Sequence, residues 1–113
     1  MKEIKAIIQP FLLSRVVEAL KEIPGLPGVT VSEVHGFGRA RAVGSPDTVV
    51  DGAVEYVKKS KLETVVPDQL VETVVQTIRD KAHTGNPGDG KIFVYEVDDV
   101  IRIRTGEHGE GGI

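Results

Sequence analysis

The spacing of apolar residues along the first third of the chain predicts a strand, a helix and a second strand. Ile4, Ala6 and Ile8 alternate with polar or mixed positions over residues 2–9, as in a half-buried strand, and Pro10 ends this pattern. Residues 14–23 then carry an amphipathic stripe with the spacing i, i+3, i+4, i+7, formed by Leu13, Val16, Val17 and Leu20. Prolines and glycines between residues 24 and 28 interrupt the helix, and residues 29–38 predict the second strand.

The second half of the chain repeats this order of elements. Residues 59–66 predict a third strand, and Pro67 and Asp68 suit the first turn of a following helix. The apolar stripe of that helix consists of Val71, Val74, Val75, Ile78 and Ala82. Residues 91–97 predict a fourth strand. The order βαββαβ predicts an α+β, ferredoxin-like fold, in which a four-stranded antiparallel sheet carries two helices on one face.

A long segment without a hydrophobic period separates the two halves. It extends from Arg39 to about Tyr56 and contains turn-forming residues at 44–47 and 52. A loop of this length in a chain of 113 residues is usually functional or disordered. The sequence therefore predicts a single domain, residues 1–113, with a long mobile loop at about residues 39–57.

Composition narrows the classes of function. The chain has no cysteine, which excludes disulfides and thiolate metal sites and fits a reducing compartment. Its three histidines are scattered, so no metal site is expected. We see no signal peptide and no apolar run near the ~20 residues of a membrane span, which favours a cytoplasmic protein without membrane insertion. The net charge of -3 argues against general binding to nucleic acid.

The glycine-rich run at residues 84–91 is the densest chemical signal. Gly85, Gly90 and Lys91 match the phosphate-loop spacing G-x-x-x-x-G-K, but Ile92 replaces the Ser or Thr that would hold magnesium. The run also leads from helix to strand, the reverse of a phosphate loop. Glycines still free backbone N–H groups to face an anion, and lysine adds charge. A plain glycine-rich connection with a solvated lysine remains the alternative.

Arginines near the end of the chain could also hold an anion. Arg102 and Arg104 lie two positions apart, so an extended segment would place both guanidinium groups on one side, as suits a polyphosphate. The alternative is a charged edge that prevents pairing between sheets. Together with Arg39, Lys59 and Lys91, these cations lie at strand ends or beside glycines, which suits a small polyanion better than a nucleic-acid duplex.

Several runs resemble the PII family of signal-transduction proteins. They are Gly36-Phe37-Gly38-Arg39, Thr84-Gly85, Gly88-Asp89-Gly90-Lys91-Ile92-Phe93-Val94 and Ile101-Arg102-Ile103-Arg104-Thr105-Gly106-Glu107. The resemblance implies a cytoplasmic homotrimer of ferredoxin-like subunits that is a regulator and not an enzyme. It implies ATP or ADP as the bound effector, in three clefts between subunits. It also implies that the loop at 39–57 contacts a regulated protein partner, such as a transporter, an efflux pump or an enzyme.

The resemblance also implies a role for individual residues. Those that would surround the phosphates are Gly88, Gly90 and Lys91, and those that would neutralise them are Arg39, Arg102 and Arg104. The adenosine part would be held by Ile8, Thr30, Glu63 and Val65. The implied nucleotide-binding set also contains Gly36, Gly38, Lys59 and Asp89.

Departures from the family pattern fall inside the loop. Ala40 stands where typical members have a glutamine that helps to bind magnesium and 2-oxoglutarate, so magnesium binding is doubtful. Lys59 matches the lysine that pairs with 2-oxoglutarate. Tyr56 is the only tyrosine of the loop, and its spacing does not match the tyrosine that many bacterial members have modified. In these features the chain resembles a divergent branch of the family encoded beside heavy-metal efflux pumps.

Two other classes of function remain open from the sequence. One is a small ferredoxin-like hydrolase of phosphate esters or acyl phosphates, in which Asn86 with Arg39 or Arg102 could cradle a phosphate. No general base is evident for such an enzyme. The other is a purely structural trimer, which would show no affinity for nucleotides.

We predict that 2-oxoglutarate binds weakly or not at all, even with magnesium and ATP. Ala40 cannot supply an amide oxygen, so a metal-bridged keto acid would rely on the exposed charge of Lys59 alone. Calorimetric titration of the wild type and of Ala40→Gln tests this, and the variant should bind 2-oxoglutarate more tightly. Wild-type binding at micromolar concentration would contradict the prediction.

Overall fold

The computed structural model describes residues 1–37, 48–51 and 54–113, and these form a single antiparallel sheet covered by two helices. The strands are β1 (Lys2–Ile8), β2 (Thr30–Gly36), β3 (Thr48–Asp51), β4 (Val54–Val66) and β5 (Gly90–Glu96). The helices are α1 (Leu13–Lys21) and α2 (Val71–Ala82). The described strands lie in the order β2-β4-β1-β5, and β3 pairs with β4. This confirms the predicted ferredoxin-like architecture.

The pairing register divides the side chains between two faces. Strand β1 lies between β4 and β5, so that Ala6 is opposite Leu62 on one side and Ile92 on the other. These residues face the helices. Residues one position along, such as Glu63, face the opposite side, which we call the open face. Two site residues on one strand can therefore lie on different faces of the sheet even when they are close in sequence.

The hydrophobic core lies between the sheet and the helices. The predicted stripes are confirmed, since each member is either buried or packed against the core. The largest fully buried side chains among the described residues are Ile4, Ile8, Val16, Leu20, Leu62, Val66, Val74 and Ile78. Burying one such aliphatic side chain stabilises a fold by roughly 1.5–3 kcal/mol. Among the described residues, neither helix has the length and hydrophobicity needed to span a bilayer.

The boundaries of the elements differ from the predicted ones at several points. Short 3-10 helices, Pro10–Leu12 and Asp68–Leu70, precede α1 and α2, because proline fixes the backbone at each entry but no full α-turn has yet formed. The larger error concerns the segment predicted as irregular up to Tyr56. Strand β3 lies inside it, and β4 begins at Val54 rather than at residue 59. The described part of this segment is therefore a strand pair that extends beyond the main sheet.

Candidate functional site

Those predicted site residues that the structure describes lie toward two opposite ends of the sheet. Gly36, Lys59 and Gly90 lie at the end where β1 finishes, since Gly90 is opposite Ile8. Val65 lies at the other end, opposite Glu3. Lys59 and Val65 are six positions apart on β4, which corresponds to about 20 Å. We call the first the glycine-loop end and the second the cavity end.

The loop between α2 and β5 forms the glycine-loop end. Gly85, Gly88 and Gly90 have φ values of 88°, 94° and 102°, a region that other residues rarely adopt. Gly90 is constrained most strongly, because an added Cβ would lie 1.7 Å from the carbonyl oxygen of Ile7. The glycines in this run are therefore required by backbone conformation, whatever else the loop does.

Asp89 closes the loop on itself. Its carboxylate accepts hydrogen bonds from the backbone N–H groups of Thr84 and Gly85, at 2.8 Å and 2.9 Å, and from the Thr84 hydroxyl. Partial burial alone would raise the pKa of Asp89, but these hydrogen bonds lower it below the ordinary value. Because the carboxylate is already occupied by donors and is negative, Asp89 shapes the loop and is poorly suited to contact a phosphate directly.

Two further features connect this loop to its surroundings. The Lys59 ammonium donates to the carbonyl oxygen of Gly88, which ties β4 to the loop. A cavity of about 390 Å³ lies beside the loop, with Asp89, Gly90 and Lys91 in its wall. Its other lining residues are Ile8, Val75, Ile78, Arg79, Ala82, His83 and Ile92. The structure thus brings Ile8, Lys59 and Gly88–Lys91 to the same end of the sheet, although the resemblance placed Ile8 with the adenosine residues rather than with the phosphate residues.

The cavity end holds three of the four residues predicted for adenosine. Thr30, Glu63 and Val65 line a cavity of about 520 Å³. The hydroxyl of Thr64 donates to the carbonyl oxygen of Gly28 at 2.6 Å, which fixes the chain where it enters β2. Ile8, the fourth, lies at the glycine-loop end. A volume of this size is within the range of small-molecule sites.

An acidic pair lies in the wall of this cavity. The proximity of the two carboxyl groups, which favours a shared proton, raises the pKa of Glu3 and lowers that of Glu63. Lys61, whose ammonium is 3.3 Å from the Glu63 carboxylate, lowers the pKa of Glu63 further. Glu63 therefore stays ionised and can accept hydrogen bonds from hydroxyl or amino groups of a ligand.

The extended conformation predicted for the two arginines is wrong. Residues 103–105 form a turn rather than an extended segment, and the Gly106 N–H donates to the Arg102 carbonyl at 2.7 Å. Alternation along a strand therefore does not align the two guanidinium groups. Arg102 is partly buried and donates to the carbonyl oxygen of Ile113, whereas Arg104 is exposed. Both follow the far end of β5, away from Lys91.

Known proteins resemble this chain over its whole length. The model of the family described as nitrogen regulatory protein P-II matches residues 1–107. The chain belongs to the P-II family. It is 50% identical to nitrogen regulatory protein P-II 1 of Escherichia coli strain K12 and 49% identical to the nitrogen regulatory protein P-II of Rhodospirillum rubrum. Each match extends over 113 residues and covers both chains completely.

A solved P-II structure agrees with the fold. The PII protein of Arabidopsis thaliana, bound to citrate, superimposes with a TM-score of 0.80 at 45% identity. The match covers 99% of this chain and 91% of the Arabidopsis chain. The bacterial relatives of the P-II family are named as regulatory proteins and not as enzymes.

Two residues of the predicted site and the atypical Ala40 fall outside the part of the chain that the structure describes. Gly38, Arg39 and Ala40 lie outside the described residues, as does most of the segment before β3. Conversely, sequence reasoning missed residues that line the cavity, namely Glu3, Pro27, Gly28, Thr64, Val100, Gly112 and Ile113. No local motif marks them, because chain pairing and the return of the last residues bring them together. In the described part of the chain, no cluster of His, Asp and Glu could hold a metal ion.

The role of Asp89 in shaping the loop leads to a prediction about pH. A carboxyl whose pKa is lowered by folding stabilises its contacts above the unfolded pKa, and the contacts are lost as pH falls through the folded value. The amide proton shifts of Thr84 and Gly85 should therefore titrate together, with a midpoint below about 3.9. NMR titration measures this directly. Asp89→Asn serves as the control that removes the titration, and a midpoint above the ordinary value would contradict the assignment.

Proposed function

We propose that this protein is an adenine-nucleotide-binding regulator that controls a partner protein through the segment between β2 and β4. ATP or ADP is the bound effector, and the protein acts as a homotrimer in the cytoplasm. The observation that carries this proposal is that the residues predicted to bind the nucleotide fall into two sets, which lie at opposite ends of one protomer. Each set alone provides half of a nucleotide site.

The glycine-loop end has the chemistry of a phosphate site. It offers backbone N–H groups of a glycine-rich loop and the exposed ammonium of Lys91, both of which favour anions. The cavity end has the chemistry of a nucleoside site. Its wall combines apolar side chains and the hydroxyl groups of threonines with the ionised Glu63. Arg102 and Arg104 follow two and four positions after Val100, which also lines the cavity.

A trimer brings the two ends together. The glycine-loop end of one protomer would meet the cavity end of its neighbour, so that one nucleotide contacts Lys91 of the first and Arg104 of the second. About 20 Å along β4 separates the two ends of one protomer, so the two sets of residues are better placed to meet across an interface than within one chain. Three equivalent clefts follow from the symmetry of a closed ring.

Control of a partner follows from the position of the segment beyond β2. Gly36 and β3 both pair with β4 at Val57, two residues before Lys59, whose ammonium binds the Gly88 carbonyl. A nucleotide at the glycine loop is thereby connected to the base of the segment that would contact the partner. ATP and ADP change the segment only if they interact differently with its conformations.

The hydrolase remains the second candidate. It shares the phosphate-binding groups, so binding alone does not separate the two functions. In the regulator, bound ATP is a signal and is released unchanged. A turnover assay with ATP and simple phosphate esters distinguishes them, and steady release of phosphate would favour the enzyme.

We predict that Lys91→Ala and Arg104→Ala each weaken ATP and ADP binding by tenfold or more. A charge-assisted hydrogen bond contributes roughly 1.5–3 kcal/mol, and each variant removes one cation from the phosphates. Isothermal titration calorimetry measures the change. Lys21→Ala provides a matched control, because Lys21 is an exposed lysine at the end of α1 that pairs only with Glu18 in the described structure. Wild-type ATP affinity in both site variants would show that the phosphates bind elsewhere.

A further inference from the structure

The last residues of the chain fold back onto the cavity end. We call residues 107–113 the return segment. Ile101 and His108 form an antiparallel bridge. The backbone N–H of Arg102 donates to the Glu107 carbonyl at 2.9 Å, and that of Gly109 donates to the Val100 carbonyl at 3.0 Å. The return segment therefore pairs with the stretch that carries Arg102.

Asp99 anchors the start of this pairing. Its carboxylate is 2.8 Å from Nδ1 of His108 and accepts the backbone N–H of Gly109 at 3.0 Å. It also accepts the N–H of Val100 at 2.9 Å. One carboxylate thus connects both sides of the bridge, which gives the return segment a defined position.

Gly112 seats the end of the return segment closely against the backbone. It is buried, and an added Cβ would lie 2.6 Å from the carbonyl oxygen of Val100 and 2.8 Å from that of Glu107. Only glycine permits this approach. The next residue, Ile113, is consequently held at the wall of the cavity that Thr30 and Glu63 also line.

Ile113 forms part of the cavity wall and does not fill the cavity. About 520 Å³ remains with Ile113 in place, within the range of ligand sites. The carbonyl oxygen of Ile113 also accepts a hydrogen bond from Arg102. Ile113 therefore lines the proposed adenosine cavity and also contacts Arg102, which is proposed to bind the phosphates.

We infer that Ile113 is a further nucleotide-contacting residue, whose side chain packs against the adenosine part of the ligand. The inference rests on the proposed function. An aliphatic side chain at the wall favours the flat, apolar face of a purine, while Glu63 offers its carboxylate to polar groups. The hydrogen bond from the Arg102 guanidinium to the main-chain oxygen of Ile113 holds this residue in position and does not involve the side chain of Ile113.

Because the hydrogen bond uses the main chain of Ile113, a single substitution can remove the side chain and keep this bond. Ile113→Ala keeps the carbonyl that Arg102 binds and removes only the apolar contact. Losing that contact from a partly covered wall should weaken ATP, ADP and adenosine alike, by roughly five- to tenfold. Calorimetry measures ATP and ADP, and competition against a fluorescent ATP analogue measures adenosine. Arg104→Ala, in contrast, should weaken ATP and leave adenosine unchanged.

Controls separate a wall contact from a general disturbance. Ile113→Leu should retain most of the affinity for adenosine. Gly112→Ala displaces the whole return segment, so it should lower the affinity for adenosine at least as much as Ile113→Ala does. Val94→Ala removes a half-exposed aliphatic side chain on the helix-facing side of β5 and should bind as the wild type does.

The outcomes distinguish this inference from the proposed function. Wild-type affinity in Ile113→Ala, or a loss for ATP without a loss for adenosine, would overturn the contact while leaving the nucleotide site intact. Failure of the wild type to bind ATP would overturn the proposed function and the inference together.

Discussion

The antiparallel register of β1 between β4 and β5 is the constraint on which the rest of the structure depends. It fixes Ile8 opposite Gly90 at one end of the sheet and Glu3 opposite Val65 at the other. Shifting either pairing by one residue would turn the buried side chains of β1 outward, so the hydrophobic core enforces this register. Core packing thereby also fixes the separation of about 20 Å between the two halves of the site.

The shape of each half of the site is fixed by a different set of residues. At the glycine loop, positive φ values require glycine, and the Asp89 carboxylate accepts hydrogen bonds from the N–H groups of Thr84 and Gly85. At the cavity end, the wall is assembled from β4, the entry to β2 and the return segment. Each half is held within the protomer by contacts between residues distant in sequence, Lys59 with Gly88 at one end and Thr64 with Gly28 at the other. An interface between copies is what would make one nucleotide site of the two.

Much of the fold could be predicted from the sequence, because apolar periods mark β1, α1, α2 and β5 directly. The strand β3 and the first residues of β4 could not, since the turn formers at residues 44–47 and 52 flank these short runs and no hydrophobic period marks their pairing. The site followed the same rule. Motif residues such as Gly90 could be proposed from the sequence, whereas the place of Ile113 in the cavity wall could not, because it depends on the turn at residues 103–105, which no motif marks. That turn also explains why alternation misled the prediction for Arg102 and Arg104.

The central claim is that one nucleotide site is shared between two copies of the chain, and mixed assemblies test it most directly. Lys91→Ala chains keep Arg104, and Arg104→Ala chains keep Lys91. If each cleft takes Lys91 from one copy and Arg104 from the next, every trimer containing both chains has one intact cleft. Calorimetry on the co-expressed, mixed protein should then recover a fraction of sites with wild-type ATP affinity, although each variant alone has none. If the mixture shows only the weakened affinity of the separate variants, the site lies within a single chain and the account is wrong.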